Sequence, residues 1–245
     1  MTTIYSTPKP FEGEMDIIQR NAILSWKKLG YKIALFGKEA KDACKEFKLK
    51  NLKVNRNKQG TPLISSIISQ CQDDISIYVN ADIILLPSFA KAVLLCQWKF
   101  KKFLMIGRRW NVEISEPLDF DKDLARQIRA KKPEGALSKD YFVFTKGIYR
   151  SIPPFALGRG EWDHWMMAEA LMKKAAVVDA SEVTRAIHQN HDFKHIKGVH
   201  IKRGKWGPKG EENKHNKALI PKKHPPYSKL KTTHKIVGNK IIKIA

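Results

Sequence analysis

The sequence predicts an α/β fold, in which a mixed sheet is flanked by helices, and three observations support this prediction. Runs of β-branched and aromatic residues alternate with segments of helical apolar spacing through the first hundred residues. One of them, Ile75–Val79, has the composition of a central strand. At 245 residues and 42% hydrophobic content, the chain can also bury a sizeable core. We therefore expect one α/β domain at 1–193 and a basic C-terminal extension at 194–245 that packs on it.

Strand and helix signals alternate along the first half of the chain. Thr7 and Pro8 end the first strand, Gly30 closes the first helix, and Gly37 follows the second strand. The predicted elements are strands at 3–6, 31–36, 52–54, 75–79 and 103–107 and helices at 16–29, 39–47, 62–72 and 88–98. This order is typical of a nucleotide-binding half. No G-x-G-x-x-G follows the first strand and no G-x-x-x-x-G-K-[ST] occurs, which excludes those two phosphate-binding loops.

The second half of the chain is less regular. Gly158 and Gly160 leave the backbone free to turn, and helical spacing then continues with acids at its N-terminal end and lysines at its C-terminal end. The C-terminal segment also contains helix and strand signals, so we expect it to be ordered. The predicted elements are helices at 118–131, 161–174 and 211–219, a strand at 140–144, and a strand or short helix at 234–244.

The net charge is +22, and the excess is concentrated at the C-terminal end. Residues 194–245 contain fifteen basic and two acidic residues. Such a segment attracts polyanions, including DNA or RNA, an anionic glycan and an anionic membrane face. A solvated surface on a lysine-rich protein explains the same composition, because few aromatic residues are interleaved with the lysines. Both interpretations stay open at this level.

The cysteine pattern and the hydropathy of the chain indicate the cellular compartment of the protein. Cys44, Cys71 and Cys96 are far apart and odd in number, and they match neither a disulfide framework nor a CxxC metal site. The N-terminus has no basic segment followed by an apolar core, and no apolar run is long enough to span a bilayer. We therefore expect a cytoplasmic protein without a transmembrane segment, in which the cysteines are reduced and structural.

An acidic residue, Asp82, stands at the end of the predicted central strand. Asn80 and Asp82 interrupt the apolar run before Ile83. In an open α/β sheet, ligands bind outside the carboxyl ends of the strands, so Asp82 is well placed to meet a substrate or a metal. A turn in which the two polar side chains cap backbone groups would explain the same pattern.

Two acids, Glu161 and Asp163, fall on the first turn of the predicted helix at 161–174. Complementation of the helix dipole is one explanation for them. The neighbouring Trp162 and Trp165 suit a walled pocket better than a plain surface turn. These four residues therefore indicate a candidate site.

Three histidines follow in the segment IHQNHDFKH, at His188, His191 and His195. On a helix their spacing would place them on one face, which makes a zinc site conceivable. Polar surface is the simpler explanation, since no H-E-x-x-H signature is present. We favour a single histidine from this segment that completes an oxygen-rich Mg²⁺ or Mn²⁺ site begun by Asp82.

Taken in order, several segments of the chain resemble a little-characterised group of nucleotide-sugar glycosyltransferases with the GT-A fold. The resemblance runs from about Thr3 to the end of the chain, and the HQNHD block is its most specific part. The segments that carry it are TIYSTPKPF, QRNAILSW, IYVNADIIL, GRRWN, DYFVF, IPPFALGRGEWDHW, IHQNHDFKH and GEENKHNKAL. It implies a nucleotide-sugar-binding half at 1–110 and an acceptor and catalytic half at 111–193.

The resemblance also implies a metal site. GT-A enzymes use a D-x-D motif at the end of the central strand to bind the divalent metal that neutralises the sugar-nucleotide diphosphate. The matching triplet here is Asn80-Ala81-Asp82, which lacks the first acid. Asp82 would then be the principal ligand of Mn²⁺ or Mg²⁺, and Asn80 would meet the ribose or offer a neutral oxygen. His191 is the first candidate to complete the site and His188 the second.

Further roles follow from the same resemblance. The first strand end meets the base and ribose of the donor, so the nucleotide-sugar pocket would include Thr7 and Pro8, with Arg20 and Gly37 as further candidates. Asp163 resembles the acid that inverting enzymes present from a helix N-terminus, so it is the expected base, with Glu161 as the alternate. The residues expected to contact phosphate or the acceptor are Arg108, Arg109 and Trp162. A basic pair on a loop explains the two arginines equally well.

The sequence thus supports two hypotheses of different classes. The first is a metal-assisted, inverting glycosyltransferase that moves a sugar from a nucleotide-diphosphate sugar, with a UDP-sugar preferred, to an acceptor hydroxyl. Its acceptor would be a polyanion such as a modified base in DNA or an anionic glycan. The second is a catalytically silent GT-A scaffold that binds nucleic acid or another polyanion. Asn80 favours the second hypothesis, whereas Asp82, Asp163 and His191 favour the first.

Overall fold

A computed structural model of the chain describes residues 2–122, 128, 139–191 and 210–244. Within these residues, strands and helices alternate through the first half, as the sequence predicts. The strands are β1 (Thr2–Ser6), β2 (Lys32–Phe36), β3 (Lys50–Leu52), β4 (Ile75–Val79), β5 (Ile83–Ile84), β6 (Phe103–Ile106), β7 (Arg109–Val112), β8 (Tyr141–Thr145), β9 (Ala176–Asp179), β10 (Ala186–Gln189), β11 (His234–Val237) and β12 (Lys240–Lys243). The helices are α1 (Gly13–Lys28), α2 (Lys41–Phe47), α3 (Ile64–Ile68), α4 (Pro87–Lys99), α5 (Trp162–Met172) and α6 (Glu211–Ala218).

The described residues form a nine-stranded mixed sheet in the order β12-β11-β9-β6-β8-β4-β1-β2-β3. Strand β1 lies between β2 and β4 and is parallel to both. Strand β8 is antiparallel to its neighbours β4 and β6. The carboxyl ends of β1, β2, β4, β6 and β9 therefore meet at one edge of the sheet, with the start of β8 beside them. This edge is where an open α/β sheet binds its ligands.

Two apolar layers cover the sheet because successive residues of each strand point to opposite faces. On one face, Ile4 and Ile77 pack in a cluster with helices α1 and α4. On the other, Tyr5 and Tyr78 pack with α3 and α5. Trp26 of α1 is fully buried and donates its indole N–H to the carbonyl of Ile83 at 2.9 Å. The predicted mixed sheet flanked by helices is confirmed.

A second, three-stranded sheet in the order β5-β10-β7 lies next to the carboxyl edge. Strand β10 is antiparallel to β5 and parallel to β7. The sequence analysis missed these strands, and it considered a helix for the histidine segment. That helix was wrong for the described part, because His188 pairs across β10 with Ile83 and Asn111. The strands have two to four residues, so the pairing partners decide their conformation and a local pattern does not.

Other predicted elements differ in extent. The helix predicted at 62–72 is only the five-residue α3, and the strand predicted at 52–54 is β3, two residues earlier. Strand β9 was missed entirely. Residues 118–122 are not helical, and nearly all of the remainder of the helix predicted at 118–131 lies outside the described residues.

The C-terminal residues 210–244 add elements to the main sheet. Strand β11 pairs in parallel with β9 and is joined to β12 in a hairpin. The hairpin resolves the strand-or-helix ambiguity of 234–244 in favour of strands. The boundary predicted at 193/194 and the candidate ligand His195 lie outside the described residues.

Two further properties concern the cysteines and the helices. Cys44, Cys71 and Cys96 are buried and free, and burial raises the pKa of each thiol. None of the helices in the described part of the chain combines the length and apolar character needed to cross a bilayer.

Candidate active site

Strand pairing brings the predicted donor-binding residues to one edge of the sheet. The Ser6 hydroxyl donates to the Val79 carbonyl at 2.6 Å, so Thr7 and Asn80 follow neighbouring strand ends. Gly37 follows β2 on the other side of β1 and has a φ of 98°. A side chain at this position would be strained, because residues other than glycine rarely adopt this φ, and its Cβ would displace the Glu39 carboxylate 2.5 Å away.

Asn80 is fixed by Asp140, a residue that the sequence analysis did not single out. Its backbone N–H donates to the Asp140 carbonyl at 2.9 Å and its side-chain amide donates to the Asp140 carboxylate at 2.8 Å. Arg109 of β7 forms an ion pair with the same carboxylate at 3.2 Å. Burial raises the pKa of Asp140, and the Arg109 charge opposes that shift. The amide of Asn80 is therefore held in place, and Arg109 lies on a strand instead of a loop.

The centre of the site is a carboxylate between two histidines. Asp82 Oδ2 lies 3.1 Å from His191 Nε2 and 3.5 Å from His188 Nε2. The three ligand atoms all lie within 4.8 Å of one another. His188 lies on β10 and His191 lies two residues after the end of that strand, so the small sheet carries both rings to the end of β4. The geometry brings both predicted histidines to Asp82.

The electrostatics of the triad favour an ionised carboxylate. Burial alone raises the pKa of Asp82, but the charges and hydrogen bonds of His188 and His191 outweigh burial and hold the pKa well below its usual range. The Oδ1 atom of Asp82 is buried and has no hydrogen-bond partner among the described residues. A buried carboxylate oxygen without a partner is costly unless something binds it. One oxygen and two imidazole nitrogens are ligands that divalent metals accept.

A buried glutamine holds the triad to helix α1. The Gln189 amide donates to the carbonyls of Ile18 at 2.8 Å and Asp82 at 3.3 Å, and it accepts from Asn21 at 3.0 Å. Its backbone N–H also donates to the Asp82 carbonyl at 3.1 Å. Gln189 thus fixes the backbone of both Asp82 and the histidine strand. No local sequence signal marks this role, because two polar residues, Gln189 and Asn190, lie between the histidines and only the strand pairing decides which one is buried.

The two acids of the FALGRGEWD segment lie at the start of α5. Glu161 precedes the helix with a φ of 69°, a conformation that costs a non-glycine residue about 1 kcal/mol or more. Asp163 lies in the first turn, and His164 lies 3.6 Å from Asp163 and 3.7 Å from Glu161. Burial lowers the pKa of His164, with these two acids opposing the shift.

A lysine connects these acids electrostatically with the sheet edge. Burial lowers the pKa of Lys139, and the carboxylates that oppose this shift are those of Asp163, Asp140 and Asp179. Asp179 ends β9 and Asp140 precedes β8, so both lie at the carboxyl edge. The ammonium group of Lys139 lies over the Tyr227 ring, 5.2 Å from the ring centroid. Sequence reasoning missed it because no local pattern separates it from the many surface lysines.

Two of the predicted contact residues, Trp162 and Arg20, lie in other surroundings, whereas Arg108 follows β6 at the carboxyl edge of the sheet. Trp162 is 6% exposed and packs against Tyr78 and Phe142, within the core. Arg20 forms ion pairs with Asp16 and Glu46 at the surface of α1. Arg108 is anchored through its backbone N–H, which donates to the Ser181 hydroxyl at 2.8 Å. The donor or acceptor contacts of these residues stay predictions.

Helix α6 fastens the loop that precedes Asp163. The fully buried Asn216 accepts from the backbone N–H of Ala156 and donates to the carbonyls of Ala156 and Gly160, at 2.8, 3.0 and 2.9 Å. Glu212 forms a 2.6 Å ion pair with Arg159 in the same loop. This segment of the C-terminal region therefore sets the conformation of the loop that precedes the predicted base.

Replacing Asn216 with Ala is expected to destabilise the protein by about 2–3 kcal/mol, because the buried N–H of Ala156 loses its partner and the carbonyls of Ala156 and Gly160 each lose one of their two donors. The free energy of unfolding in urea measures the effect. The control is Lys214→Ala on the exposed face of the same helix, for which we expect a change within about 0.5 kcal/mol. Equal stability of the two variants would contradict this account of the loop.

Comparisons with known proteins bear on the fold. No protein-family model and no curated protein matches the sequence. TarS 1–349 of S. aureus in complex with UDP-GlcNAc is similar in structure, with a TM-score of 0.56 and 10% identity over 82% of this chain and 62% of that chain. TarS 1–349 in complex with UDP has a TM-score of 0.47 and 10% identity, over 78% of this chain and 58% of that chain. The inositol-1-phosphate CTP transferase from T. maritima has a TM-score of 0.41 and 10% identity, over 77% of this chain and 84% of that chain.

The similarity at a TM-score of 0.56 shows the fold. The chain has the GT-A-like fold of TarS, a large mixed sheet flanked by helices, and the predicted fold class is confirmed. The chain spans less than two thirds of the TarS chain. The Asp82, His188 and His191 cluster lies at the ligand-binding edge of this fold.

Proposed function

We propose that the protein is a glycosyltransferase that moves a sugar from a UDP-sugar to an acceptor hydroxyl with the help of a divalent metal. The observation that carries the proposal is the Asp82, His188 and His191 cluster at the carboxyl edge of a GT-A-like sheet. The crystallisation of the structurally similar TarS 1–349 with UDP-GlcNAc supports the choice of donor. Thr7, Pro8, Gly37 and the Asn80-Ala81-Asp82 triplet would bind the nucleotide-sugar.

The donor set of the cluster fits a metal of the Mn²⁺ or Mg²⁺ type. Asp82, His188 and His191 would hold it, and the buried Oδ1 of Asp82 offers a second oxygen. Two imidazole ligands favour Mn²⁺, because Mg²⁺ prefers oxygen ligands and keeps its waters. A bound metal of this kind supplies charge that stabilises a departing diphosphate. Gln189 would hold Asp82 in position relative to the two histidines through its hydrogen bond to the Asp82 carbonyl.

The chain's own residues supply the remaining chemistry. We assign Asp163 as the base that takes the proton from the acceptor hydroxyl, which implies inversion at the sugar carbon, with Glu161 as the alternate. The opposing charge of Lys139 and the ring of His164 would orient these carboxylates. Arg109, held by Asp140, and the neighbouring Arg108 are assigned to phosphate or acceptor oxygens.

The dependence of donor binding on metal tests the proposed function. We expect UDP-GlcNAc with Mn²⁺ at a hundred times its dissociation constant to raise the Tm by about 5–10 °C, with a smaller rise in Mg²⁺ and none in EDTA. Thermal unfolding and slow release of UDP measure it, across a panel that includes UDP-glucose and a GDP-sugar. If no donor stabilises the protein in any metal, the proposal is wrong.

We also propose that the basic surface receives a polyanionic acceptor such as DNA or an anionic glycan. Lys222 and Lys223 are exposed in the described C-terminal segment. Heparin and duplex DNA serve as probes, and their affinity should fall steeply with salt. Changing both lysines to Gln should flatten the logarithmic salt dependence for DNA by about 0.9 for each phosphate that the variant no longer neutralises. An unchanged slope would place the DNA-binding surface elsewhere.

A second candidate function is a silent scaffold that binds polyanions. Asn80 favours it, because an amide stands where the first acid of the metal motif is expected. Polyanion binding that persists while every donor and metal fails to stabilise the protein would select this alternative.

A further inference from the structure

A cavity of about 260 Å³ opens beside the start of α5, and its lining includes none of Asp82, His188 and His191. Its walls come from α5, through Glu161, His164 and Trp165, and from the segment after α6, through His224 and Tyr227. The cavity is smaller than the sites that hold drug-sized ligands, which makes it suitable for a single ring. Glu161 places it two residues from the proposed base.

Trp165 and His224 line the cavity, and one ring nitrogen of each, Trp165 Nε1 and His224 Nδ1, is buried without a hydrogen-bond partner within the described residues. Trp165 is 3% exposed and His224 is 8% exposed. The two rings face each other with centroids 5.9 Å apart. Buried polar atoms are rarely left unpaired, so two in one cavity indicate a bound group.

The two nitrogens have complementary hydrogen-bonding roles. His224 Nε2 lies 3.4 Å from the Glu169 carboxylate, which favours the proton on Nε2 and leaves a lone pair on Nδ1. Burial lowers the pKa of His224, with Glu169 opposing the shift, which favours the neutral ring. The indole of Trp165 can only donate. A hydroxyl group, which donates and accepts at once, satisfies both atoms.

The remaining walls suit the apolar face of a ring. His164 stacks on Tyr227 with ring centroids 3.7 Å apart, and Pro225 and Pro226 extend this surface. Glu161 and Lys217 contribute one charge of each sign to the lining of the cavity. An uncharged ring with hydroxyl groups meets both the polar and the apolar walls.

We propose that this cavity is the subsite for an uncharged, hydroxyl-bearing ring of the acceptor, a sugar or a cyclic polyol, held between Trp165, His224 and Tyr227. The assignment of this ring to the acceptor rests on the proposed transferase function. The neutral ring would bring the acceptor hydroxyl near Asp163, whereas the exposed lysines of the C-terminal segment, such as Lys222 and Lys223, would attract the charged parts of the same molecule.

The indole N–H resonance of Trp165 reports on the subsite directly. The chain has six tryptophans, and Trp165→Phe identifies the resonance in an NMR spectrum of the full chain. Methyl glucoside, methyl N-acetylglucosaminide and myo-inositol are the probes. We expect at least one to shift this signal saturably. The matched internal control is Trp26, whose indole N–H already donates to Ile83 and should stay unmoved.

Variants make the assignment specific. His224→Phe keeps an aromatic ring but removes the hydrogen-bond acceptor Nδ1, and it should lower the affinity for the probe about tenfold. If that variant fails to fold, as the Trp26 signal would show, Tyr227→Leu removes the platform instead and should also weaken binding. No shift of the Trp165 signal by any probe means that the cavity holds only water, which overturns the inference. Binding of UDP-GlcNAc with Mn²⁺, measured on the same sample, separates this failure from a failure of the proposed function.

Discussion

Replacing Asp82 with Asn is expected to abolish stabilisation by Mn²⁺ and to lower the rate of sugar transfer or donor hydrolysis by at least about a hundredfold. The substitution keeps the size of the side chain but removes the charge that both histidines face at 3.1 and 3.5 Å. Thermal unfolding with and without Mn²⁺, together with UDP release from UDP-GlcNAc, measures the effect.

The control for this variant is Asp42→Asn. Asp42 lies on α2, and its side chain is 96% exposed with only a 3.9 Å contact to Lys45. It should behave as the wild type in both measurements. His188→Gln should share the loss of Mn²⁺ stabilisation with Asp82→Asn, because it removes a second ligand from the same cluster. Retained Mn²⁺ stabilisation in Asp82→Asn would contradict the metal site, whatever happens to the rate.

Replacing Asp163 with Asn is expected to lower kcat by about a hundredfold or more while leaving donor and metal binding unchanged. The proposed base acts only when the acceptor hydroxyl loses its proton, so the loss should fall on kcat and spare the KM for the donor. Steady-state UDP release gives the two constants, and stabilisation by UDP-GlcNAc with Mn²⁺ confirms an intact donor site.

Glu161→Gln decides between the two candidate bases. Both carboxylates contact His164, at 3.6 Å from Asp163 and 3.7 Å from Glu161, so the two variants disturb the same ring by similar amounts. If Asp163 is the base, Glu161→Gln should lose less than about tenfold in kcat. The reverse ranking would transfer the role to Glu161. Equal and small losses would remove both residues from the proton transfer.

The fold could be predicted where local pattern and burial agree. The alternation of β-branched runs and helical spacing placed β1, α1, β2, β4 and α4 to within a few residues. The small sheet escaped prediction because its strands are short and become strands only by pairing with one another. Strand β9 escaped for the same reason, although it is needed to receive the C-terminal hairpin.

The candidate site divides in the same way. Asp82 could be singled out because an acid that ends a buried strand is a local feature, and the histidines could be singled out by their density in one segment. Asp140, Lys139 and Asn216 could not, since each acts through residues between 24 and 60 positions away in the chain. No local pattern encodes such a contact.

The sequence by itself determined the α/β class, the positive charge and the residues that offer metal ligands, because these follow from composition and from short-range periodicity. Only the tertiary structure decided that His188 and His191 meet Asp82, that helix α6 holds the loop before Asp163, and that Trp165 and His224 face one cavity. The physical reason is that side-chain chemistry is local, whereas the distance between two side chains depends on every strand pairing and packed layer that separates them in the chain.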